Sequence, residues 1–543
     1  MTDTSALPPV VINTVAETAA AETLDLAPEI EPGHAPVTIT MAFDPALAER
    51  LPRLTPLSRQ RKGRMKTRSF RRIYHDTPDA AFFADHRALV VDGGMWRVES
   101  LATPPSLPGS QLDEQTLIAP IETLLASYGI EGGVMPIASV EGRQRSIVLS
   151  DQTRMDSEEL TVFIEDGTIR NLTDTLPFGR IHIQGDARAI AALASELQEN
   201  EEARLRIPET PLSMLAVSHG RGLPARPAAG LGAPEIDPGI STEDAARHII
   251  GHLTLALLYW APRIRLLKPG EIDKAALEPV HQIRVTLRRL RSAISIFSAV
   301  LACPELDNVK AHLKTIGTLL GPARDWDVFI SQTGQTLLDT FPDHAALKRL
   351  MERASKQREQ HYHTLLASLQ TPGFDRLGLS LALLCQVRPW RQALHTLHDE
   401  VQHHCEECLN QPIEIFAAGV LKKRLKKLPA NAPIAELPAA ALHELRLHAK
   451  RLRYACEFFA ACFPQKQGRR MIRRLSELQE ELGILNDGAV AAGLMQEIDG
   501  KDGVQGAQAR GIVLGFSAAH GASARQKIIA AWKHFHAAKP FWN

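Results

Sequence analysis

Two segments of this chain carry the same spacing of histidine and cationic side chains. The first runs His281-Gln-Ile-Arg284-Val-Thr-Leu-Arg288-Arg289-Leu-Arg291, and the second, 162 residues later, runs His443-Glu-Leu-Arg446-Leu-His-Ala-Lys450-Arg451-Leu-Arg453. At 100° per residue of helix, His281, Arg284, Arg288 and Arg291 fall within an arc of about 80°, while Ile283, Leu287, Leu290 and Ile294 occupy the opposite side. His443, Arg446, Lys450 and Arg453 repeat the stripe, with Arg289 and Arg451 standing beside each. A guanidinium fork engages phosphate oxygens two at a time, so such a stripe suits a phosphorylated ligand. With no acid interleaved on that face, like charges repel at i,i+3 and i,i+4, and a multiply anionic ligand would relieve the repulsion. For one such helix a solvated basic face is the simpler reading; a second copy at the same spacing favours a ligand. The histidines fit either of two roles, direct contact or a neutral hydrogen bond that fixes the helix.

The elements that must carry these stripes are helical. The same offset of 162 relates Leu320-Gly321-Pro-Ala-Arg324-Asp325 to Leu482-Gly483-Ile-Leu-Asn486-Asp487, so residues 241–543 read as two copies of one helical unit. Of 543 residues, 62 are Lys or Arg and 62 are Asp or Glu. This overall neutrality hides 23 basic and 35 acidic residues up to position 250, against 39 and 27 beyond it. A polyanion should prefer the second half. Aromatic residues make up only 5% of the chain and none interrupts the first stripe, which disfavours the base stacking of nucleic-acid binders.

Residues 1–35 read as a disordered leader rich in Ala, Thr, Pro and Glu. Segments 37–43, 71–76, 95–101, 146–150, 160–169 and 180–185 alternate as strands, with hairpin turns at Asp92-Gly93-Gly94 and Asp166-Gly167. Helical patterns cover 45–54 and 187–198, so residues 36–219 read as α+β, dominated by antiparallel sheet. The Gly/Pro-rich stretch 220–240 is a linker. The cluster Arg59, Arg61, Lys62, Arg64, Lys66 and Arg68 reads as an exposed loop, with a relocated active site as the alternative. His403-His404-Cys405-Glu-Glu-Cys408 reads as an ordinary helix carrying two thiols, since no second metal-spaced pair follows it closely. With no signal-type leader, no apolar run long enough to cross a membrane and only six cysteines, a cytoplasmic protein is expected.

The motif H-x2-R-x3-[RK]-R-L-R, followed by LGxx[RN]D and closed by Trp532-Lys-His-Phe and Pro540-Phe-Trp-Asn, resembles the CHAD domain, the conserved-histidine α-helical domain. The resemblance spans 241–543 and implies two pseudo-symmetric helical bundles with a basic channel between them. It also implies binding of inorganic polyphosphate, on polyphosphate granules, through His281, Arg284, Arg288, Arg289, Arg291, His443, Arg446, Lys450, Arg451 and Arg453. Lys310, Lys314, Lys422, Lys423, Arg473 and Arg474 are further candidates. Residues 71–79, RRIYHDTPD, resemble a strand of the CYTH family, triphosphate tunnel barrels that often precede such helical domains. That family's ExExK positions are Thr38, Thr40 and Ala42 here, its LRxR strand is Leu89-Val-Val-Asp92, its ExE strand is Arg180-Ile-His182, and its Ser-Lys segment is Ser213-Met214. These departures imply a degenerate barrel that folds without its metal and phosphate ligands. The expectation is therefore a binding protein with no enzymatic activity, cofactor or metal. Two alternatives stand: a metal-dependent inorganic triphosphatase of the CYTH type, and a basic scaffold for an acidic protein or nucleic acid.

Overall fold

The computed structural model describes residues 37–101, 117–150, 159–200, 202–223, 234, 236–268, 274–369, 373–498 and 503–542. The leader and most of the linker lie outside them. Eight strands form one antiparallel sheet: β1 (Val37–Ala42), β2 (Arg61–Asp76), β3 (Arg87–Asp92), β4 (Met95–Ser100), β5 (Leu117–Ile118), β6 (Met135–Leu149), β7 (Leu160–Arg170) and β8 (Thr175–Gly185), in the order β1-β8-β7-β6-β2-β3-β4-β5. The sheet is curled into a half-barrel. The helices longer than eight residues are α1 (Ala187–Glu199), α2 (Leu212–Gly220), α3 (Thr242–Arg265), α4 (Lys274–Phe297), α5 (Pro304–Val328), α6 (Ala345–Leu369), α7 (Gly373–Val387), α8 (Asp399–Asn410), α9 (Ile413–Leu425), α10 (Ala439–Phe459), α11 (Gln465–Glu497) and α12 (Gly503–His536). The protein is thus multidomain, an antiparallel α+β sheet followed by an all-α region.

Several local readings need correction. Asp166-Gly167 is no hairpin; it lies inside β7, paired with β6 and β8. Gly167 serves there because β6 and β7 approach closely: a Cβ on it would sit 2.1 Å from the Glu141 carbonyl oxygen, and one on the facing Gly142 would sit 2.2 Å from that of Asp166. Gly167→Ala should lower stability by about 1–3 kcal/mol, the usual range for overpacking, read as a fall in the denaturation midpoint; an unchanged midpoint would show that the strands can part freely. The cluster from Arg61 to Arg68 is not a loop but the exposed first half of β2, hydrogen-bonded to β6. Residues 45–54 form two short 3-10 turns, Pro45–Leu47 and Leu51–Arg53, because prolines interrupt them. Asp92-Gly93-Gly94 does turn β3 into β4, with both glycines at positive φ. The two thiols lie on α8.

The sheet has two different faces. One is apolar: Ile39, Met41, Val162, Ile164, Ile181 and Ile183 form a core with Ile190 and Leu193 of α1. Leu258 of α3 and Leu379 and Ala382 of α7 complete that same core. The other face is closed at one end by α2, where Met214 and Val217 pack on Tyr74, Val140 and Phe178. A separate apolar core runs continuously through the helical region from α3 to α12.

Polar residues on the second sheet face satisfy one another. Arg72 donates to both oxygens of Glu165, at 2.9 and 3.3 Å, and to Asp92 at 3.1 Å. Arg97 pairs with Asp92 at 3.3 Å and with Glu99 at 2.8 Å. Thr40 Oγ1 lies 2.9 Å from His182 Nδ1. Burial pushes the Glu165 carboxyl up, but His182 and Arg72 more than offset this and hold it well below the ordinary carboxylate range. Sequence comparison with the tunnel motif showed only which charges are missing. It did not show that Arg72, Asp92, Arg97, Glu99 and Glu165 populate the same face as one network of two guanidinium groups and three carboxylates.

Candidate functional site

Both stripes lie on amphipathic helices whose apolar sides enter the common core. On α4 the buried residues include Val280, Ile283, Leu287, Leu290 and Ile294; on α10 they include Leu442, Leu445, Ala449 and Leu452. This burial fixes helix rotation and turns the cations toward one another, since α4 and α10 pack together. Between them lies a cleft of about 310 Å³, lined by His281, Arg284 and Arg288 from α4 and by Arg446 and Lys450 from α10. Arg324 and Asp325 from the end of α5, and Asn486 and Asp487 from α11, complete its charged and amide lining. A π-helical turn, Phe329–Gly334, continues α5 and adds Gln332 and Thr333.

The glycines of the second repeated block lie beside the stripe arginines. A Cβ on Gly321 would lie 3.3 Å from Arg284 Nη1, and one on Gly483 would lie 3.9 Å from Arg446 Nη2. Residues 284 and 446 are repeat equivalents, as are 321 and 483. Each repeat therefore seats the arginine of its basic helix against the glycine of its next long helix, which explains why the two blocks recur at one offset.

The electrostatics are crowded. Burial, followed by the charges of Arg288, Arg446, Arg284 and Arg453, pulls the Lys450 ammonium down to about 7. Burial likewise lowers Arg284 and Arg446 from the ordinary guanidinium value. His281 is held below the ordinary imidazole range by burial and by Arg324. Arg288 Nε and Arg446 Nε are buried, with no hydrogen-bond partner among the described residues. Buried donors in that state are unfavourable, and an oxyanion would satisfy them. Arg284 is better off, because its Nη2 donates to Asp325 Oδ1 at 3.2 Å.

The remaining sequence candidates lie elsewhere. Arg289 and Arg453 converge instead on Glu457, at 3.9 and 3.6 Å, so each has an acidic neighbour that stripe geometry alone did not reveal. Arg291, His443 and Arg451 are exposed and outside the cleft lining. Lys310 pairs with Asp307 at 2.9 Å, Arg473 lies 3.7 Å from Glu477, and Lys314, Lys422 and Lys423 are exposed. Arg474 is buried, with 5% exposure, and cannot extend a surface. The residue that sequence reasoning missed is Arg324. Its block was recognised as a repeat marker, and the recurrence at a constant offset was already the signal that it faces the same place as the stripe.

The geometry defines a repeated all-α module whose two copies present cations to one shared cleft. Residues 249–496 match the family model for the CHAD domain, and that segment is a CHAD domain. Two uncharacterized proteins of Mycobacterium tuberculosis, from different strains, are 31% identical to this chain over 197 residues, covering 35% of it and 36% of their own length. The chain therefore matches little more than a third of those relatives. Among solved structures, the CHAD domain from the plant Ricinus communis is 28% identical with a TM-score of 0.45, covering 56% of this chain and 96% of its own. HpAC1 from Hippeastrum, described as having a dominant triphosphatase activity, is 12% identical with a TM-score of 0.24, covering 35% of this chain and 99% of its own. Among the described residues no helix is long and apolar enough to cross a membrane.

Proposed function

We propose that the protein binds inorganic polyphosphate in the cleft between α4 and α10, without catalysing its turnover, and that it associates through that cleft with polyphosphate granules. The observation that carries the reading is the convergence of two repeat-equivalent cationic stripes on one cleft, with the Nε donors of Arg288 and Arg446 buried and unpartnered. Phosphate without bases suits the lining better than nucleic acid does. Its one aromatic side chain, Phe329, is buried with 3% exposure and offers no stacking platform.

The sheet domain supports a non-catalytic reading for its own reason. Metal-assisted hydrolysis of the tunnel type needs carboxylates free to hold a divalent ion. Here Thr38, Thr40 and Ala42 replace the charged strand, and Glu165, Asp92 and Glu99 are engaged by Arg72 and Arg97. The purified protein is expected not to hydrolyse tripolyphosphate with magnesium or manganese. A metal-dependent turnover that disappears in Glu165→Gln would reverse this assignment. The binding reading is tested by parallel titrations with long-chain polyphosphate, single-stranded DNA and tripolyphosphate. Tight binding of polyphosphate alone is expected; equal affinity for DNA of matched charge would instead favour a general basic scaffold.

A further inference from the structure

The cleft is not purely cationic. Asp325 and Asp487, repeat equivalents at the ends of the LGxx[RN]D blocks, both line it. The Asp325 carboxylate already occupies Arg284, at 3.2 Å. Asp487 exerts its charge on Arg446, the repeat counterpart of Arg284, and also on Asp325 itself. Burial and the neighbouring carboxylates Asp487 and Glu497 push the Asp325 carboxyl above its ordinary value, and partial desolvation at the cleft raises that of the otherwise exposed Asp487. They sit where an anion would be welcome and are themselves poorly accommodated. Among the described residues, by contrast, no carboxylate lies within ion-pair distance of Arg288, Arg324, Arg446 or Lys450, although all four line the cleft.

We propose that Asp325 and Asp487 are resident competitors for the phosphate subsites, setting the minimum number of linked phosphates that the cleft retains. The inference rests on the polyphosphate reading above and deepens it. A lone phosphate that reaches Arg284 exchanges one anion for another and gains little. A chain of phosphates meets the same displacement once but also engages the remaining cations, so its net gain grows with each linked unit. Short phosphates are thereby held below useful affinity while long chains remain above it. A cleft built only for affinity would have no need of carboxylates at equivalent places in both repeats.

Asp325→Asn and Asp487→Asn keep side-chain size and lie on different helices, so a folding defect in one leaves the other informative; Asp487 is exposed. Calorimetric titrations of the full chain with orthophosphate, tripolyphosphate and long-chain polyphosphate, in chelator-treated buffer, provide the readout. Each substitution should raise the affinity for tripolyphosphate and for the long chain by a similar factor, about three- to tenfold, the scale of a partly exposed to charge-assisted interaction. The double variant should bring tripolyphosphate, weak in the parent, into the measurable range. Unchanged or reduced affinity in both single variants would overturn the proposal, and a reduction seen only when magnesium is added would show the carboxylates holding a bridging cation instead. Arg288→Ala separates the two layers. If it weakens polyphosphate binding while neither Asp variant strengthens it, only the competitor idea fails; if it changes nothing, the cleft itself is not the polyphosphate site.

Discussion

Replacing Arg288 and Arg446 together by alanine should weaken polyphosphate binding by about a hundredfold. Each guanidinium contributes a charge-assisted contact of about 1.4 kcal/mol or more to phosphate, and two such contacts amount to that factor. The two residues come from opposite walls of the cleft and each carries a buried, unpartnered Nε, so they should serve one ligand together. That figure assumes additive losses, and any departure of the double variant from the product of its singles measures how far the two residues act on one ligand together. The salt dependence supplies an independent check. Of the ten residues on the two stripes only His281, Arg284, Arg288, Arg446 and Lys450 line the cleft, and Arg324 joins them. Five permanent or titratable cations, without the histidine, predict a slope of log affinity against log salt of roughly −3.5 at about −0.7 per contact. Counting all eight stripe cations as contacts would have predicted about −6 on the same scale. The double variant should bring the slope to about −2, whereas Arg291→Ala and Arg451→Ala, which lie outside the cleft lining, should leave it unaltered. A parent slope near −6, or equal losses in the Arg291 and Arg446 variants, would place the ligand on the outer helix surfaces.

A second large effect is expected from pH. In the empty cleft Lys450 loses its proton at about 7, whereas a bound phosphate chain stabilises the ammonium and raises that value. Above pH 7 the free site is therefore mostly neutral at Lys450 and the bound site charged, so binding takes up one proton. Affinity should fall by up to tenfold per pH unit above about 7, and up to a hundredfold by pH 9, as linkage requires for one proton. Below pH 7 the residue is charged in both states and this contribution levels off. Lys450→Arg should flatten the profile, because a guanidinium stays protonated throughout. Lys450→Met should show at pH 6 the affinity that the parent has at pH 9. Titrations in buffers of differing ionisation enthalpy would detect the proton directly. The same group links to stability with its own sign. Between about 7 and the ordinary lysine value the unfolded chain holds the proton and the folded chain does not, so stability from this residue rises with pH across that window. Below the window the burden of the crowded charge is full and constant, and there Lys450→Met should raise the unfolding temperature.

The sequence disclosed the repeat, the two stripes and the antiparallel character of the first domain because each depends on local periodicity. Ile283, Leu287, Leu290 and Ile294 point one way and the cations the other, and nothing beyond 100° per residue is needed to see it. What it did not disclose depends on neighbours distant along the chain. Arg289 and Arg453 sit beside their stripes in projection, yet Glu457 draws both away from the cleft. Arg324 lies outside the stripe, in the LGxx[RN]D block, and enters the cleft because α5 packs against α4. The glycine at 167 looked like punctuation because Asp-Gly favours turns, but the close crossing of β6 and β7 uses the same absence of a Cβ for a different purpose. The charged face of the sheet is hidden for the same reason: comparing positions with a motif shows which charges are absent, while the arginine–carboxylate pairs become visible only when strands are aligned.

Leu258, Leu379 and Ala382 belong to helices α3 and α7, yet they complete the apolar core of the sheet. Gln198 adds a hydrogen bond of 2.8 Å to the Asp375 carbonyl, and Arg263 an ion pair of 3.2 Å to Glu209. From the sheet outward, β1 packs on α7, α7 on α3 and α3 on α4, whose far side forms a wall of the cleft. On the non-catalytic reading proposed above, a domain held this way serves through its shape. Its interior may drift in charge so long as the pairs balance, while Ile39, Met41, Ile181 and Ile183 may not drift in size. On that reading the sheet works as masonry for the helical region, and in related chains its apolar face should change more slowly than its polar one.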